Sequence, residues 1–212
     1  MRNKLEAAAR SLGQTLTPQQ IDALLAYLAL IQKWNKVYNL TAIRDPAEML
    51  TYHLLDSLAI VAPLIRQTKG ASINMLDVGA GAGLPGVVIA ICCPEIHVTC
   101  VDAVAKKMAF VQQVATELKL PNLKALHARV ETLTDKYDVI TSRAFATLLD
   151  FVTGSRAALK PDKGVWLAMK AKDTGVEIAE LPADVAVFHV EQLTVPGLDA
   201  ERCIVWMRTK TA

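Results

Sequence analysis

The segment LDVGAGAGLPG, residues 76–86, places four glycines directly behind a short apolar run that begins at Ile73. Glycine inside a strand or helix costs about 0.5–1 kcal/mol relative to alanine, so such a cluster indicates a turn in which side chains would obstruct something. The apolar run before the turn has the length of a buried strand. We therefore expect a strand followed by a tight turn against which another group lies.

Strand and helix patterns alternate from residue 73 onwards. Strands are predicted for INMLDV, HVTCVDA, LKALHARV, YDVITSR and GVWLAMK, and helices for LPGVVIAICC, 105–118 and about 144–159. This alternation predicts an α/β fold, a mostly parallel seven-stranded sheet covered by helices on both faces. The last two apolar segments, ADVAVFHVEQLTV and RCIVWMRT, have no room for a helix between them. They predict an antiparallel hairpin at the edge of the sheet.

The first part of the chain has a helical pattern. Thr17, Pro18 and Gln20 form a capping box with proline in the first turn, and a second helix start follows at Asp45 and Pro46. We expect a helical N-terminal extension over residues 1–65 and the sheet domain over 66–212. Between the two helix starts lies KWNKVYNLTAIR, residues 33–44, a basic segment with two aromatic residues. It is either a helix end with solvated lysines or a surface that faces RNA.

Bulk composition excludes several classes of protein. Hydrophobic residues make up 52% of the chain and charged residues 21%, which predicts a packed core, and the net charge of +2 neither demands nor excludes nucleic acid. We find no signal peptide and no apolar run of about 18 residues, so we expect a cytoplasmic protein without a membrane span. The four cysteines form no C-x-x-C clip, and the four histidines show no metal-ligand spacing, so we expect no metal.

The glycine turn allows two interpretations. Gly81, Gly83 and Gly86 satisfy G-x-G-x-x-G, the dinucleotide fingerprint, which by itself is weak evidence for a nicotinamide-dependent oxidoreductase. Read from Asp77, the same turn is Asp-x-Gly-x-Gly-x-Gly, which resembles the first motif of class I S-adenosylmethionine-dependent methyltransferases. Asp102, at the end of the second strand, suits the ribose hydroxyls in either case. The C-terminal hairpin and the lack of residues for a second domain favour the methyltransferase.

Further segments make the resemblance specific. With GAGAGLPG stand NLT at residues 39–41, HLLDSL at 53–58, SRAF at 142–145 and the closing LDAERCIVWMRT. In this order they resemble the bacterial small-subunit ribosomal RNA guanine-N7 methyltransferases, also called glucose-inhibited division protein B. The resemblance implies the cofactor S-adenosylmethionine and methyl transfer to N7 of one guanine in the decoding-region hairpin of 16S rRNA. The family often has proline or another small residue where this turn has Ala82, which leaves the backbone amides in place.

The resemblance also implies which residues form the site. The cofactor turn contains Gly79, Gly81, Gly83 and Leu84, and Val130 and Glu131 after the third strand flank the adenosine. Arg143 of SRAF lies by the cofactor and the target, and is the catalytic candidate: its guanidinium suits a phosphate, the methionine carboxylate or guanine O6, although it can also be a mere partner of an aspartate. Candidate substrate-binding residues are Lys33, Lys36, Asn39, Thr41 and His53. His53 and Asp56 stand three apart and can touch on one helix face, so they form either a local hydrogen-bonded pair that holds the N-terminal helices to the sheet or a direct contact with RNA.

Methylation of guanine N7 needs no proton removal, because N7 carries a free lone pair in the neutral base. The protein then has to align the reactants and stabilise charge, without a dedicated general base. The segment TSRAF after the fourth strand suits this, since exocyclic-amine methyltransferases carry Asp/Asn-Pro-Pro-aromatic there. Cys93 and Cys100 lie in a helix end and a strand, which does not favour a cysteine nucleophile. A cofactor-binding RNA module without catalysis remains a further alternative.

Overall fold

A computed structural model describes residues 1–143, 147–171 and 174–210. The chain begins with α1 (Arg2–Ser11) and α2 (Pro18–Tyr38). The capping box is confirmed: the Thr17 side chain accepts from the Gln20 amide, and the Gln20 side chain accepts from the Thr17 amide. The helix α2 continues to Tyr38, so the first half of the basic segment is helical, and it ends at Asn39, whose φ of 49° is left-handed.

The second helical stretch starts where the sequence predicted. Asp45 caps it by accepting from the amides of Ala47 and Glu48. It is built from α3 (Pro46–Met49), a π-helical turn (Leu50–Leu55), α4 (Asp56–Leu58) and α5 (Val61–Thr68). We expected no apolar run of membrane-spanning length, and this expectation is wrong. The helical stretch Pro46–Thr68 is long enough and apolar enough to span a membrane, judged by length and composition alone. However, 78% of its most apolar window is buried inside the fold, so this stretch is a core element.

The strands form one seven-stranded sheet in the order β3-β2-β1-β4-β5-β7-β6. Their bounds are β1 (Ile73–Val78), β2 (Ile96–Asp102), β3 (Leu123–His127), β4 (Val139–Arg143), β5 (Val165–Ala171), β6 (Val185–Leu193) and β7 (Arg202–Thr209). The first five are parallel to one another, and β7 is antiparallel to both β5 and β6. The predicted sheet and hairpin are confirmed. The last strand of the chain, β7, lies between β5 and the edge strand β6.

Helices cover both faces of the sheet. They are α6 (Gly86–Cys92), α7 (Ala105–Glu117), α8 (Leu148–Ser155) and α9 (Gly175–Ala179), with short 3-10 turns at Val130–Thr132 and Arg156–Ala158. The helix predicted over 144–159 begins outside the described residues, and its described part is α8 followed by the second 3-10 turn. Sequence reasoning did not predict α9.

Two hydrophobic clusters lie on the two faces of the sheet. Met75 belongs to one and its neighbour Leu76 to the other, as expected for alternate side chains of a strand covered on both sides. The first cluster joins the N-terminal helices to α6 and α7, so the extension and the sheet share one core. The predicted boundary between residues 65 and 66 falls within α5, and the division into two parts stays a prediction.

Strand order decides where a ligand can bind. From β1 the chain proceeds outwards through β2 to β3, then returns to the other side of β1 with β4 and β5. In such sheets a crevice opens beyond the carboxyl ends of the strands on either side of this reversal. The glycine turn follows β1 and therefore lies at the crevice.

Candidate active site

The glycine turn has two kinds of glycine. Gly79, Gly81 and Gly83 have φ values of 66°, 60° and 89°, a backbone conformation that residues with a side chain rarely adopt. A Cβ on Gly83 would lie 2.4 Å from Val87 Cγ2, and one on Gly86 2.5 Å from Cys100 Sγ. A Cβ on Gly81 would meet nothing closer than the Gly79 carbonyl oxygen at 3.9 Å. Gly83 and Gly86 are thus required by packing within the protein, and the open side of the turn is at Gly81.

Two aspartates hold the turn in place. Asp77 Oδ2 accepts from the Gly86 amide at 2.8 Å, and burial raises the pKa of Asp77 to about 7. Asp102 Oδ2 accepts from the Gly81 amide at 3.0 Å, and its Oδ1 accepts from the Val104 amide at 2.9 Å. The turn is therefore hydrogen-bonded to the ends of both β1 and β2.

A cavity of about 230 Å³ opens beside the turn, over the ends of β1, β2 and β3. Its carboxylates, Asp102 and Glu131, suit ribose hydroxyls, and its apolar wall suits a purine ring. A nucleoside-containing cofactor fits this set of groups. The cavity is lined by Val78, Gly79, Val101, Asp102, Ala103, Ala128, Arg129, Val130 and Glu131.

A second cavity, of about 410 Å³, contains the ends of β4 and β5. Arg143 is the last residue of β4, and Arg202 is the first residue of β7, which is antiparallel and so begins at the edge where its parallel neighbours end. This larger cavity is lined by Ile43, Tyr52, His53, Asp56, Arg143, Met169, Lys170, Ala171 and Arg202.

Arg143 lies in the larger cavity and is held by the helical extension. Its Nη1 donates to the Tyr52 carbonyl at 2.8 Å and to Asp56 Oδ2 at 3.1 Å. Arg143 is therefore the partner of an aspartate, as one of the two interpretations expected. It also lines the cavity, so both interpretations apply to this residue. The last two residues of the SRAF motif, Ala144 and Phe145, lie outside the described residues.

His53 is a neutral, buried residue of the same cavity. Its Nε2 lies 2.9 Å from Thr41 Oγ1. Burial, and then the nearby Arg143 cation, lowers the pKa of His53 to about 4. The expected pairing of His53 with Asp56 differs from the structure: Asp56 bonds to arginines and His53 to Thr41. The π-helical turn that contains His53 changes the angular offset on which the three-residue spacing rests.

The remaining predicted substrate residues lie at the surface. Lys33 and Lys36 are exposed near the end of α2, and Asn39 accepts from Arg44 Nη2 at 3.3 Å. None of these three lines either cavity. The aromatic residue Trp34 packs edge-on against Phe110, with ring centroids 5.3 Å apart, so it belongs to the fold.

Leu84 is buried at 5% exposure and packs in the turn. It and the amides of Gly81 and Gly83 do not line the smaller cavity, whereas Gly79, Asp102, Val130 and Glu131 come together there. The residues of the larger cavity that sequence reasoning did not predict include three with hydrogen-bonding side chains, Tyr52, Lys170 and Arg202. The signal for Arg202 was available, since a basic residue at the start of an antiparallel strand lies at the carboxyl edge of its parallel neighbours.

The cysteines are poor nucleophiles. Cys93 and Cys100 are each 0% exposed. Burial raises the pKa of Cys93 to about 12 and that of Cys100 well above its usual value, so neither forms a thiolate near neutral pH. Within the described residues, no group of three or more His, Cys, Asp or Glu side chains could hold a metal ion.

Two solved structures with the same fold are named as a methylase and a methyltransferase. A ribosomal protein L11 methylase from Lactobacillus delbrueckii subsp. bulgaricus superposes with a TM-score of 0.57 at 14% identity, over 73% of this chain and 79% of that one. A SAM dependent methyltransferase from Aquifex aeolicus gives a TM-score of 0.53 at 15% identity, over 77% and 98%. The fold is that of the class I S-adenosylmethionine-dependent methyltransferases.

The sequence comparison then identifies the family. The family model described as rRNA small subunit methyltransferase G matches residues 20–205. The Ribosomal RNA small subunit methyltransferase G of Albidiferax ferrireducens is 64% identical over 219 residues, which cover 97% of both chains. The chain belongs to the rRNA small subunit methyltransferase G family, and it is a methyltransferase that uses S-adenosylmethionine. The oxidoreductase and the non-catalytic alternatives are discarded.

Proposed function

We propose that the protein transfers a methyl group from S-adenosylmethionine to N7 of one guanine in the decoding-region hairpin of 16S rRNA. Membership of the family supports an rRNA substrate. The choice of N7, and of this hairpin, comes from the resemblance of the sequence motifs. The observation that carries the proposal is the pair of cavities at one sheet edge, since they provide space for a nucleoside-containing donor and for a target nucleotide.

The smaller cavity and the adjoining turn are the proposed cofactor site. Gly79, Asp102, Val130 and Glu131 line it and would hold the nucleoside part, with Asp102 or Glu131 accepting from ribose hydroxyls. The bound cofactor supplies an electrophilic methyl group on a sulfonium centre. The proposed cofactor residues, including those that shape the turn and the arginine beside it, are Gly79, Gly81, Gly83, Leu84, Asp102, Val130, Glu131 and Arg143.

The larger cavity is the proposed site of the target nucleotide. Its apolar residues include Ile43 and Met169, which suit the faces of a base, and Arg143 suits an anionic group or guanine O6. The described part of this cavity does not favour a general base: burial and then Arg143 lower the pKa of His53 to about 4, which makes it a weak base, and Asp56 is paired with arginines. Guanine N7 is a nucleophile that suits such a cavity, because its lone pair is available without proton transfer.

The end of α2 is the proposed outer contact with RNA. Lys33 and Lys36 are exposed there, and Asn39 and Thr41 connect it to His53 in the larger cavity. Exposed cations bind phosphates without reading sequence, so this surface would orient the RNA while the cavity selects the base. We propose that the protein acts in the cytoplasm, where ribosomal subunits are made, and as a monomer.

The test is methyl transfer to defined RNA. Small subunits that lack the modification, and free 16S rRNA, are incubated with the protein and labelled S-adenosylmethionine, and the RNA is then cleaved chemically at 7-methylguanine. We expect label and cleavage at one guanine of the decoding-region hairpin. Label in the RNA without cleavage at 7-methylguanine would contradict the N7 assignment, and label elsewhere would contradict the hairpin.

A further inference from the structure

Asp56 joins two arginines that are far apart in the sequence. Its Oδ2 accepts from Arg143 Nη1 at 3.1 Å, and its Oδ1 accepts from Arg202 Nε at 3.1 Å. The separations along the chain are 87 and 146 residues. The three residues come from the helical extension, the end of β4 and the start of β7, and all three line the larger cavity.

The carboxylate of Asp56 is buried, and both of its oxygens accept hydrogen bonds. The residue is 3% exposed, and each of its oxygens faces a different guanidinium group. A buried carboxylate is costly unless cations and hydrogen bonds compensate it, so the two guanidinium groups stabilise Asp56, and Asp56 in turn fixes the orientation of both. One negative charge balances only one of the two guanidinium charges, so the group of three remains positive.

The arginines keep hydrogen-bond donors for another group. Arg143 uses Nη1 for Asp56 and the Tyr52 carbonyl, and Arg202 uses Nε for Asp56 and Nη1 for the Glu201 carbonyl. No contact among the described residues engages Nη2 of either side chain. Guanidinium groups that are held in one orientation bind oxyanions with less loss of side-chain freedom than mobile ones.

We infer that Asp56 is a positioning residue that orients Arg143 and Arg202 so that their remaining N–H groups bind an oxyanion of the reactants. This oxyanion is either a backbone phosphate of the RNA or the carboxylate of the cofactor. The inference rests on the proposed function. It gives the helical extension a direct role in methyl transfer, because the counter-ion of two active-site arginines comes from that part of the chain.

The test compares Asp56→Asn with a matched control. Asparagine preserves size but removes the charge, so the arginines lose their fixed orientation, and kcat/KM should fall about 100-fold, as for other small misplacements of reacting groups. Asp56→Glu should recover part of the loss because it restores the charge. The control is Glu191→Gln, which also breaks a long-range ion pair, 2.6 Å in length with Arg66 across 125 residues, but lies outside both cavities. It should leave kcat/KM unchanged.

Two further measurements identify the oxyanion. If it is an RNA phosphate, Arg202→Gln lowers the salt slope of RNA binding by about one and leaves cofactor binding unchanged in calorimetry. If it is the cofactor carboxylate, Arg202→Gln or Asp56→Asn weakens cofactor binding and leaves the slope unchanged. A change in neither quantity would overturn the inference.

A merely structural role gives a different result. In that case folded Asp56→Asn protein melts earlier but keeps kcat/KM within twofold of the wild type, which would overturn the inference. If Asp56→Asn does not fold, Arg202→Gln decides in its place, and wild-type kcat/KM for that variant overturns the inference equally. Failure of the proposed function is distinguishable, because then the wild-type protein itself transfers no methyl group to N7 of the RNA.

Discussion

The Tyr27 hydroxyl donates a hydrogen bond of 2.6 Å to the Ala82 carbonyl, and so connects α2 of the helical extension to the glycine turn. Tyr27 is 0% exposed, and burial raises its pKa well above its usual value, so the phenol keeps its proton and remains a donor. The same hydroxyl lies 3.4 Å from the position of a Cβ on Gly83. The helical extension thus supports the proposed cofactor turn from behind, as Asp77 does from β1.

Tyr27→Phe should loosen the turn. Loss of this buried hydrogen bond leaves the Ala82 carbonyl without its donor and should lower the free energy of unfolding by about 1–3 kcal/mol. Cofactor affinity should fall as well, because part of the binding energy must then order the turn. Calorimetry and urea denaturation measure the two effects. The control is Tyr38→Phe, at an exposed position, and equal cofactor affinity in both variants would contradict the prediction.

Gly83→Ala should disrupt the turn by overlap as well as by backbone strain. The added Cβ would lie 2.4 Å from Val87 Cγ2 at a φ of +89°. We expect a loss of about 2–5 kcal/mol, from about 1–3 for overpacking and 1–2 for the left-handed backbone. Gly13→Ala isolates the second contribution, since φ is +73° there and nothing lies within 4 Å of the new Cβ. Equal destabilisation of the two variants, measured by urea denaturation, would exclude the overlap.

Asp77 should make stability depend on pH. Burial raises its pKa from 3.8 to about 7, so between these values the folded protein keeps a proton that the unfolded chain has released. Stability should therefore decrease as the pH rises from about 4 to 7, by up to about 1.4 kcal/mol for each unit of pKa difference. Asp77→Asn should remove this contribution, so its stability relative to the wild type should increase over the same range. Parallel curves in urea titrations at pH 4.5, 5.5 and 7 would contradict the raised pKa.

Arg143→Ala should abolish methyl transfer while the fold persists. Asp56 keeps its bond to Arg202 in this variant, so its carboxylate is not left without a cation. We expect single-turnover rates at least about 100-fold lower, the size of effect seen when a charge-stabilising donor is removed from an active site. Circular dichroism checks the fold. Arg66→Ala is the control, since Arg66 pairs with Glu191 outside both cavities, and an unchanged rate for Arg143→Ala would remove this residue from the site.

Replacing Lys33 and Lys36 by glutamine should weaken RNA binding and flatten its salt dependence. Each lost phosphate contact lowers the slope of log K against log salt by about 0.7–0.9, because fewer counterions are released. The matched control is the pair Lys119 and Lys124, which are also exposed. Lys119 follows α7 and Lys124 lies near the start of β3, so both are away from the carboxyl ends of the strands, where the two cavities lie. An unaltered slope in filter-binding titrations would return the end of α2 to a solvated surface.

Features that depend on neighbouring residues could be predicted from the sequence. The capping box at Thr17, the cap at Asp45 and the strand before the glycine turn each follow from a few adjacent side chains. The order of strands and helices then restricted the topology, because parallel strands need crossover connections. Gly79, Asp102, Val130 and Glu131 meet in one cavity for this reason, since each lies at or just after the end of one of three neighbouring strands.

Features that depend on distant contacts were missed or only partly predicted. The four glycines look alike in the sequence, but their surroundings in the fold differ. Gly83 faces Val87 and Gly86 faces Cys100, whereas Gly81 faces open space. Spacing within one helix paired His53 with Asp56, but a π-helical turn and two arginines from other strands gave them different partners.

The sequence by itself determined the fold class and the place of the glycine turn, because periodicity and turn chemistry act over a few residues, and the resemblance of its motifs indicated the family. Only the tertiary structure decided the partners of Asp56. Arg202 reaches Asp56 because β7 inserts antiparallel beside β5 and thereby begins at the edge where β4 ends. A buried carboxylate needs an oppositely charged hydrogen-bond donor within about 3 Å. Which cations come that close depends on the packing of the whole chain.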